Sequence, residues 1–279
     1  MGDKQLHCAM DLFRRLPPVQ LETNLTFVSE LVPDLADELL QSVDCPLKIK
    51  TDSASGKDFL ICDYNRDGDS YRSPYSNKYI PNQPDGVVPP DHLRKLEIQA
   101  NELYQQYCDQ YYDGGLSSSY FWDTSDEDDS STKNNFACAI MFKKDGSGLR
   151  GVDKGIWDSI HVVDVKIGSD KKSASYELTT TIILSMCTEG GGLDLSGSVQ
   201  RQTKVDAKFD DTPYNSHLVN IGKIMQDMEN SLRDKLQSVY FDKAREITGY
   251  LRSKQTSGDR KIHSAMNMEL AAALSNRKR

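Results

Sequence analysis

The chain has 279 residues and a net charge of −8, with 27% charged side chains. That length can bury a hydrophobic core without disulfide or metal staples, and no run of about 18 apolar residues is present that would cross a bilayer as a helix. Seven basic against two acidic residues give positions 250–279 a charge of +5, which leaves −13 on the rest. An acidic body with a basic tail argues against general nucleic-acid binding and for a tail that meets an acidic partner surface.

The first fifty residues read as three short amphipathic helices punctuated by proline: Asp3 to Leu16, Gln20 to Leu31, and Pro33 to Val43. Three such helices in a row predict a small antiparallel bundle. The opening MGDKQLHCAMDLFRRL has charges where a signal peptide needs an apolar core. It also misses the myristoylation pattern at Leu6, so a cytoplasmic chain is expected. Residues 59–62 read as β, and 63–90, rich in Pro, Gly, Asp, Asn and Ser, as ordered loop. Asp91 to Tyr111 is a helix with the stripe Leu93, Leu96, Ala100, Leu103, Tyr107 and Tyr111, stopped by Gly114-Gly115.

The period then changes. Segments 117–123, 134–144, 156–167, 173–188 and 193–205 are β-branched and aromatic, separated by turn residues. Five strands in close succession predict an antiparallel meander, with the long apolar fourth strand at its centre. From Pro213 to about Leu251, Leu218, Ile221, Met225, Met228, Leu232, Leu236 and Val239 mark one helix face that would cover the sheet. About 35 residues of helix would run roughly 50 Å. That is long for one domain and hints at a partner continuing the sheet. Beyond a hinge at Gln255 to Asp259, Ile262, Met266, Leu270 and Leu274 recur every four residues with Ala273 beside them. This is a short amphipathic helix on a tether, a design suited to a partner's groove.

Several motifs invite chemistry. Asp63, Asn65, Asp67, Gly68 and Asp69 have the spacing of half an EF-hand calcium loop. However, Pro74 stands where the bidentate Glu is needed and Ser70 where an apolar residue pairs sister loops. An Asx-rich turn with Gly68 in the left-handed region is the reading preferred here. A calcium-binding regulatory protein using residues 63–74 is the alternative. Gly192 and Gly197 have Walker A spacing, but Ser198 and Val199 replace its Lys and hydroxyl residue. The six cysteines are scattered singly and read as reduced core residues. The histidines form no metal motif, and no nucleophile elbow is present.

Taken together, MDLFRRLPP (10–18), KDFLICDYNRDGDSYRSPYSNKY (57–79), LRKLEIQANELYQQY (93–107), GLSSSYFWD (115–123), WDSIHVVDV (157–165), NIGKIMQDMENSLR (220–233), LRSKQTSGD (251–259) and MELAAAL (268–274) resemble the beta subunit of the F-actin capping protein. The similarity runs through essentially the whole chain, and CDYNRD is its most specific element. The resemblance implies an obligate heterodimer with a capping protein alpha subunit, in which the two sheets join under two long antiparallel helices. It implies binding to the barbed end of actin filaments, which blocks subunit addition and loss with no nucleotide, metal, other cofactor or catalysis. It also implies a cytoskeletal location. Family regulators are phosphatidylinositol bisphosphate, twinfilin, myotrophin and proteins with a capping-protein-interaction motif.

The expected fold is therefore α+β: a short-helix bundle (1–58), a loop region with a connecting helix (59–116), a five-stranded antiparallel sheet (117–212), a long helix (213–251) and a mobile tail (252–279). The resemblance assigns actin contact to the tail face Ile262, Met266, Leu270, Ala273 and Leu274, and to Lys223, a position also implicated in phosphoinositide sensitivity. The tail's basic Arg252, Lys254, Arg260 and Lys261 join this candidate site. The chain departs from animal relatives in an acidic stretch at 124–135 and in Ala271-Ala272.

Overall fold

The structure is a computed structural model that describes residues 10, 20–31, 33, 36, 45–112, 114–125, 132, 134–146, 154–187, 194–210, 216–236 and 238. The chain divides into two compact units, 1–225 and 226–279. Of the three expected N-terminal helices the second is described, as α1 (Leu21–Leu31), which buries Leu21 and Leu25. The spans expected for the other two lie mostly outside the described residues.

Five strands form the sheet: β6 (Leu116–Asp123), β7 (Phe136–Asp145), β8 (Lys154–Ile167), β9 (Ser173–Cys187) and β10 (Asp194–Lys208). Their order is β10-β9-β8-β7-β6, every pair antiparallel, so the expected meander is present. The expected place of the fourth strand needs correction. β9 is interior, but the centre belongs to β8. In a meander, order in space is order in sequence, and the length of an apolar run does not set it.

The two faces of the sheet follow from the register. Tyr120, Met141, Ile160 and Ile183 share one face and pack with Leu47 and Leu60. The latter two come from the hairpin β1 (Lys48–Thr51) and β2 (Asp58–Ile61), of which β1 had no sequence signal. Tyr120 Oη donates to Leu60 O at 2.6 Å, and Leu60 N–H to Ser118 Oγ at 2.9 Å. Lys143 Nζ lies 3.0 Å from Asp158 Oδ1, while Leu47 N–H donates to Oδ2 at 2.8 Å. Burial raises the Asp158 pKa against the pull of Lys143 and that N–H.

The opposite face carries Phe121, Cys138, Phe142, Val163 and Tyr176, all buried, and receives helices. Burial pushes the Cys138 thiol far up, as expected for an inert core cysteine. The helix α2 (Asp91–Tyr112) buries Leu93, Leu96, Glu97, Ala100, Asn101, Tyr104, Cys108 and Tyr112. The expected stripe is thus corrected in its second half, since Leu103 is 42% and Tyr111 44% exposed. Following apolar residues alone missed Glu97 and Asn101, which are buried because the neighbouring strand needs their hydrogen-bonding groups.

The expected long helix is described as α3 (Ser216–Leu236), and the rest of 213–251 falls outside the described residues apart from Ser238. Of its stripe, Leu218, Ile221, Met225 and Leu232 are buried. Within the first unit, Tyr104 Oη donates to Leu218 O at 2.9 Å, and Asn220 Nδ2 to Tyr176 Oη at 3.1 Å. His217 Nδ1 lies 2.8 Å from the same Tyr176 Oη.

Residues 63–90, expected as loop, contain a small sheet: β3 (Arg66–Asp67), β4 (Ser70–Arg72) and β5 (Tyr79–Ile80). Strands of two or three residues are too short for alternation to register in sequence. One buried cluster holds this region to α2. Arg72 is 5% exposed and Glu97 0%, and both guanidinium Nη atoms meet the carboxylate at 2.7 Å. Arg94 also bonds Glu97, and its guanidinium donates to Pro74 O at 2.8 Å and Tyr75 O at 3.0 Å. Burial works against the Arg72 charge, but bonding to Glu97 outweighs it and raises its pKa. Removing Arg72 leaves the buried carboxylate with Arg94 on Oε1 and no guanidinium on Oε2. Arg72→Leu is expected to lower the unfolding free energy by about 3–5 kcal/mol in urea denaturation. A loss below about 1 kcal/mol would equate the pair with a surface bridge.

Candidate functional site

The aspartate-rich loop has a different use from ion binding. Its first residues, Asp63–Asn65, form one 3₁₀ turn. Arg66 and Asp67 then pair with Tyr71 and Ser70 across a tight turn. Gly68 in that turn has φ +56, the left-handed value expected from the sequence. Asn65, which would be a ligand in a calcium loop, is buried, and its side chain is engaged by backbone. Its Oδ1 accepts from Cys62 N–H at 2.9 Å, and its Nδ2 donates to Arg72 O at 2.9 Å. Asp63 faces solvent beside Arg66 at 3.8 Å. Among the described residues no group of three or more His, Cys, Asp or Glu side chains could hold a metal. Nothing in the loop supports the calcium alternative. Calorimetry with calcium is expected to give no stoichiometric heat for the protein; a heat abolished in Asp63→Ala would overturn this reading.

Of the candidate actin-contact residues, Lys223 is described. It is exposed on α3, one turn beyond Val219, which is 55% exposed. The two share the helix face turned away from the buried Leu218, Ile221 and Met225. Arg252, Lys254, Arg260, Lys261, Ile262, Met266, Leu270, Ala273 and Leu274 lie outside the described residues.

A feature missed in the sequence is the outer side of β10. The strand pairs with β9 along 15 residues and is the last in the sheet. Fifteen residues span roughly 50 Å. Ladder bonds alternate sides along a strand. The register carries this alternation across the sheet, so the even-numbered residues of β10 turn their N–H and C=O outward. Two contacts agree with that assignment: Lys208 O accepts from Asn220 Nδ2 at 2.9 Å on the outer side, and Phe209 N–H donates inward to Lys172 O at 2.9 Å. Arg201, Gln202, Lys204, Val205, Asp206 and Lys208 are exposed. A long edge of this kind is a template for another strand. The sequence showed the strand; its place at an edge depends on tertiary order.

The full length of the chain has relatives. Residues 6–248 match the family model described as F-actin capping protein, beta subunit. The F-actin-capping protein subunit beta of Drosophila melanogaster is 46% identical, over 99% of this chain and 98% of its own. That of Dictyostelium discoideum is 44% identical, over 99% and 100%. That of Caenorhabditis elegans is 42% identical, over 99% of each chain. Among solved structures, the homodimeric actin capping protein alpha subunit from Plasmodium berghei matches with a TM-score of 0.52 and 14% identity, over 90% of this chain and 96% of that one. At that identity the likeness concerns the fold alone.

Proposed function

This chain belongs to the F-actin capping protein beta-subunit family, and from that premise we propose that it is the beta half of a heterodimer with an alpha subunit that caps the barbed end of actin filaments. Capping is binding: the dimer occupies the terminal subunits and blocks gain and loss, and no bond is made or broken. The observation that carries the dimer is the outer side of β10, a row of backbone donors and acceptors along the last strand of the sheet. An alpha subunit of related fold offers a strand to meet it, which yields one sheet across both subunits.

The edge assignment can be tested at single-residue resolution. The Gln202 N–H faces outward and the Thr203 N–H faces β9. Proline is tolerated at an edge strand where the lost N–H faces away from the sheet. Gln202→Pro is expected to leave the chain foldable when co-expressed with an alpha subunit and to weaken assembly at least tenfold. Thr203→Pro is expected to damage the fold itself. A heterodimer of unchanged affinity from Gln202→Pro would refute the shared sheet.

Actin contact is proposed for two places. One is exposed Lys223 on α3, which we also assign to phosphatidylinositol bisphosphate; its ammonium is a point charge without the bidentate geometry of arginine. The other is the tail, where Ile262, Met266, Leu270 and Leu274 repeat every four residues with Ala273 alongside. Such a stripe suits an apolar cleft, while Arg252, Lys254, Arg260 and Lys261 suit an acidic surface. Burying the four large side chains gives roughly 6–10 kcal/mol gross, much of it offset by ordering and association. Twinfilin, myotrophin and proteins with a capping-protein-interaction motif complete the proposed partners, in the cytoskeleton.

Removal of residues 252–279 is expected to leave the heterodimer folded and to slow its block of elongation from filament seeds. Leu270→Asp is expected to weaken capping with the melting temperature unchanged. A large fall in melting temperature would place the tail on the chain's own body instead.

A further inference from the structure

The other edge of the sheet is closed from within the chain. On β6 the outward backbone groups belong to Ser117, Ser119, Phe121 and, at the strand's end, Asp123, and the N–H groups of the first three each meet a side chain of α2. Phe121 N–H donates to Glu97 Oε2 at 2.9 Å, Ser119 N–H to Asn101 Oδ1 at 2.9 Å, and Ser117 N–H to Gln105 Oε1 at 3.0 Å. One carbonyl of the strand and one just before it are used as well. Asn101 Nδ2 donates to Ser119 O at 2.9 Å, and Gln105 Nε2 to Gly115 O at 3.3 Å.

The match has a simple metric. Residues four apart on a helix advance about 6 Å, and residues two apart on a strand advance about 6.7 Å. Glu97, Asn101 and Gln105 therefore keep step with Phe121, Ser119 and Ser117 in the antiparallel sense. The middle side chain is the shortest. The longer Glu and Gln stand at the ends, where a straight helix diverges from a twisted strand. Asn101 reproduces what a neighbouring strand would offer, one donor and one acceptor to the same residue. On β10, Gln200 O is bonded by its neighbour Arg201 and Lys208 O by Asn220, and among the described residues no helix runs in step along the strand as α2 does along β6.

We propose that α2 is a strand surrogate that terminates the sheet at β6, so that the sheet grows only across β10 and assembly stops at one partner per chain. A chain with two pairing edges would add partners head to tail and build an open array; a chain with one closes as a pair. The inference rests on the proposed pairing of β10 with an alpha subunit.

The test is the double variant Asn101→Leu/Gln105→Leu, purified as the complex with an alpha subunit. It leaves Glu97 and its arginines in place. Two readings are expected together. Amide exchange at Ser117 and Ser119 accelerates at least tenfold, while Ser118 and Tyr120, bonded to β7, are unchanged. The mass by light scattering rises above that of the one-to-one complex as concentration increases. A complex that stays one-to-one at every concentration overturns the inference, whether or not exchange accelerates, and leaves the β10 reading standing. Unchanged exchange at Ser117 and Ser119 overturns it too. Should the double variant not fold, Gln105→Ala at its half-buried position gives the same two readings, with Ser117 as the reporting amide. Failure of the β10 reading shows separately, as a Gln202→Pro complex of unchanged affinity.

Discussion

A carboxylate with no exposure to solvent ties the first unit together. Glu97 receives both Nη atoms of Arg72, a bond from Arg94 and the N–H of Phe121. Those four groups belong to the aspartate-rich loop, α2 and the outer sheet strand. An unpaired charge at that depth would cost several kcal/mol, so the three elements come together or not at all. The loop's other internal bonds, among them Asn65 to Arg72 O and Arg72 to Asn77 Oδ1 at 2.7 Å, hold the guanidinium at the angle the carboxylate requires. The most recognisable stretch of the sequence is in this light a bracket, with Asp63 and Asp69 on its exposed rim.

The same helix gives the sheet its asymmetry. One edge ends against side chains spaced to imitate a strand, and the other ends in backbone. In the proposed heterodimer that difference lets the chain join one partner through a broad surface and then stop, since a protein that ends filaments is of little use if it polymerises itself. The apolar face of the sheet under α2 and the start of α3 provides the rigid platform. Lys223 stands on the outer side of α3 above it.

Part of the proposed site was readable from the sequence and part was not. Lys223 was proposed from its place in NIGKIMQDMEN, and the tail stripe from its four-residue repeat. The outer side of β10 carried no mark, since the residues of a strand do not say whether a further strand lies beside it. Glu97, Asn101 and Gln105 were hidden for the opposite reason. Polar residues on a helix read as solvent-facing, and the apolar stripe was consequently drawn through Leu103 and Tyr111, which are exposed. An i, i+4, i+8 run of Glu, Asn and Gln inside the apolar stripe was the one available signal.

The sequence by itself determined the elements that local periodicity controls: five long strands in succession, a helix before them and a helix after them, and Gly68 where the chain turns left-handed. Each depends on the preferences of a few consecutive residues, so each is written locally. It also determined the family, because eight separated stretches in one order are more specific than any single motif. Only the tertiary structure decided which strand is central, which edge is closed, and which buried charge meets which. Those depend on pairs such as Arg72 with Glu97, or Leu47 N–H with Asp158 Oδ2. Hydrogen bonds between residues far apart in the chain leave no periodic trace in the sequence, because their geometry exists only once the elements have packed.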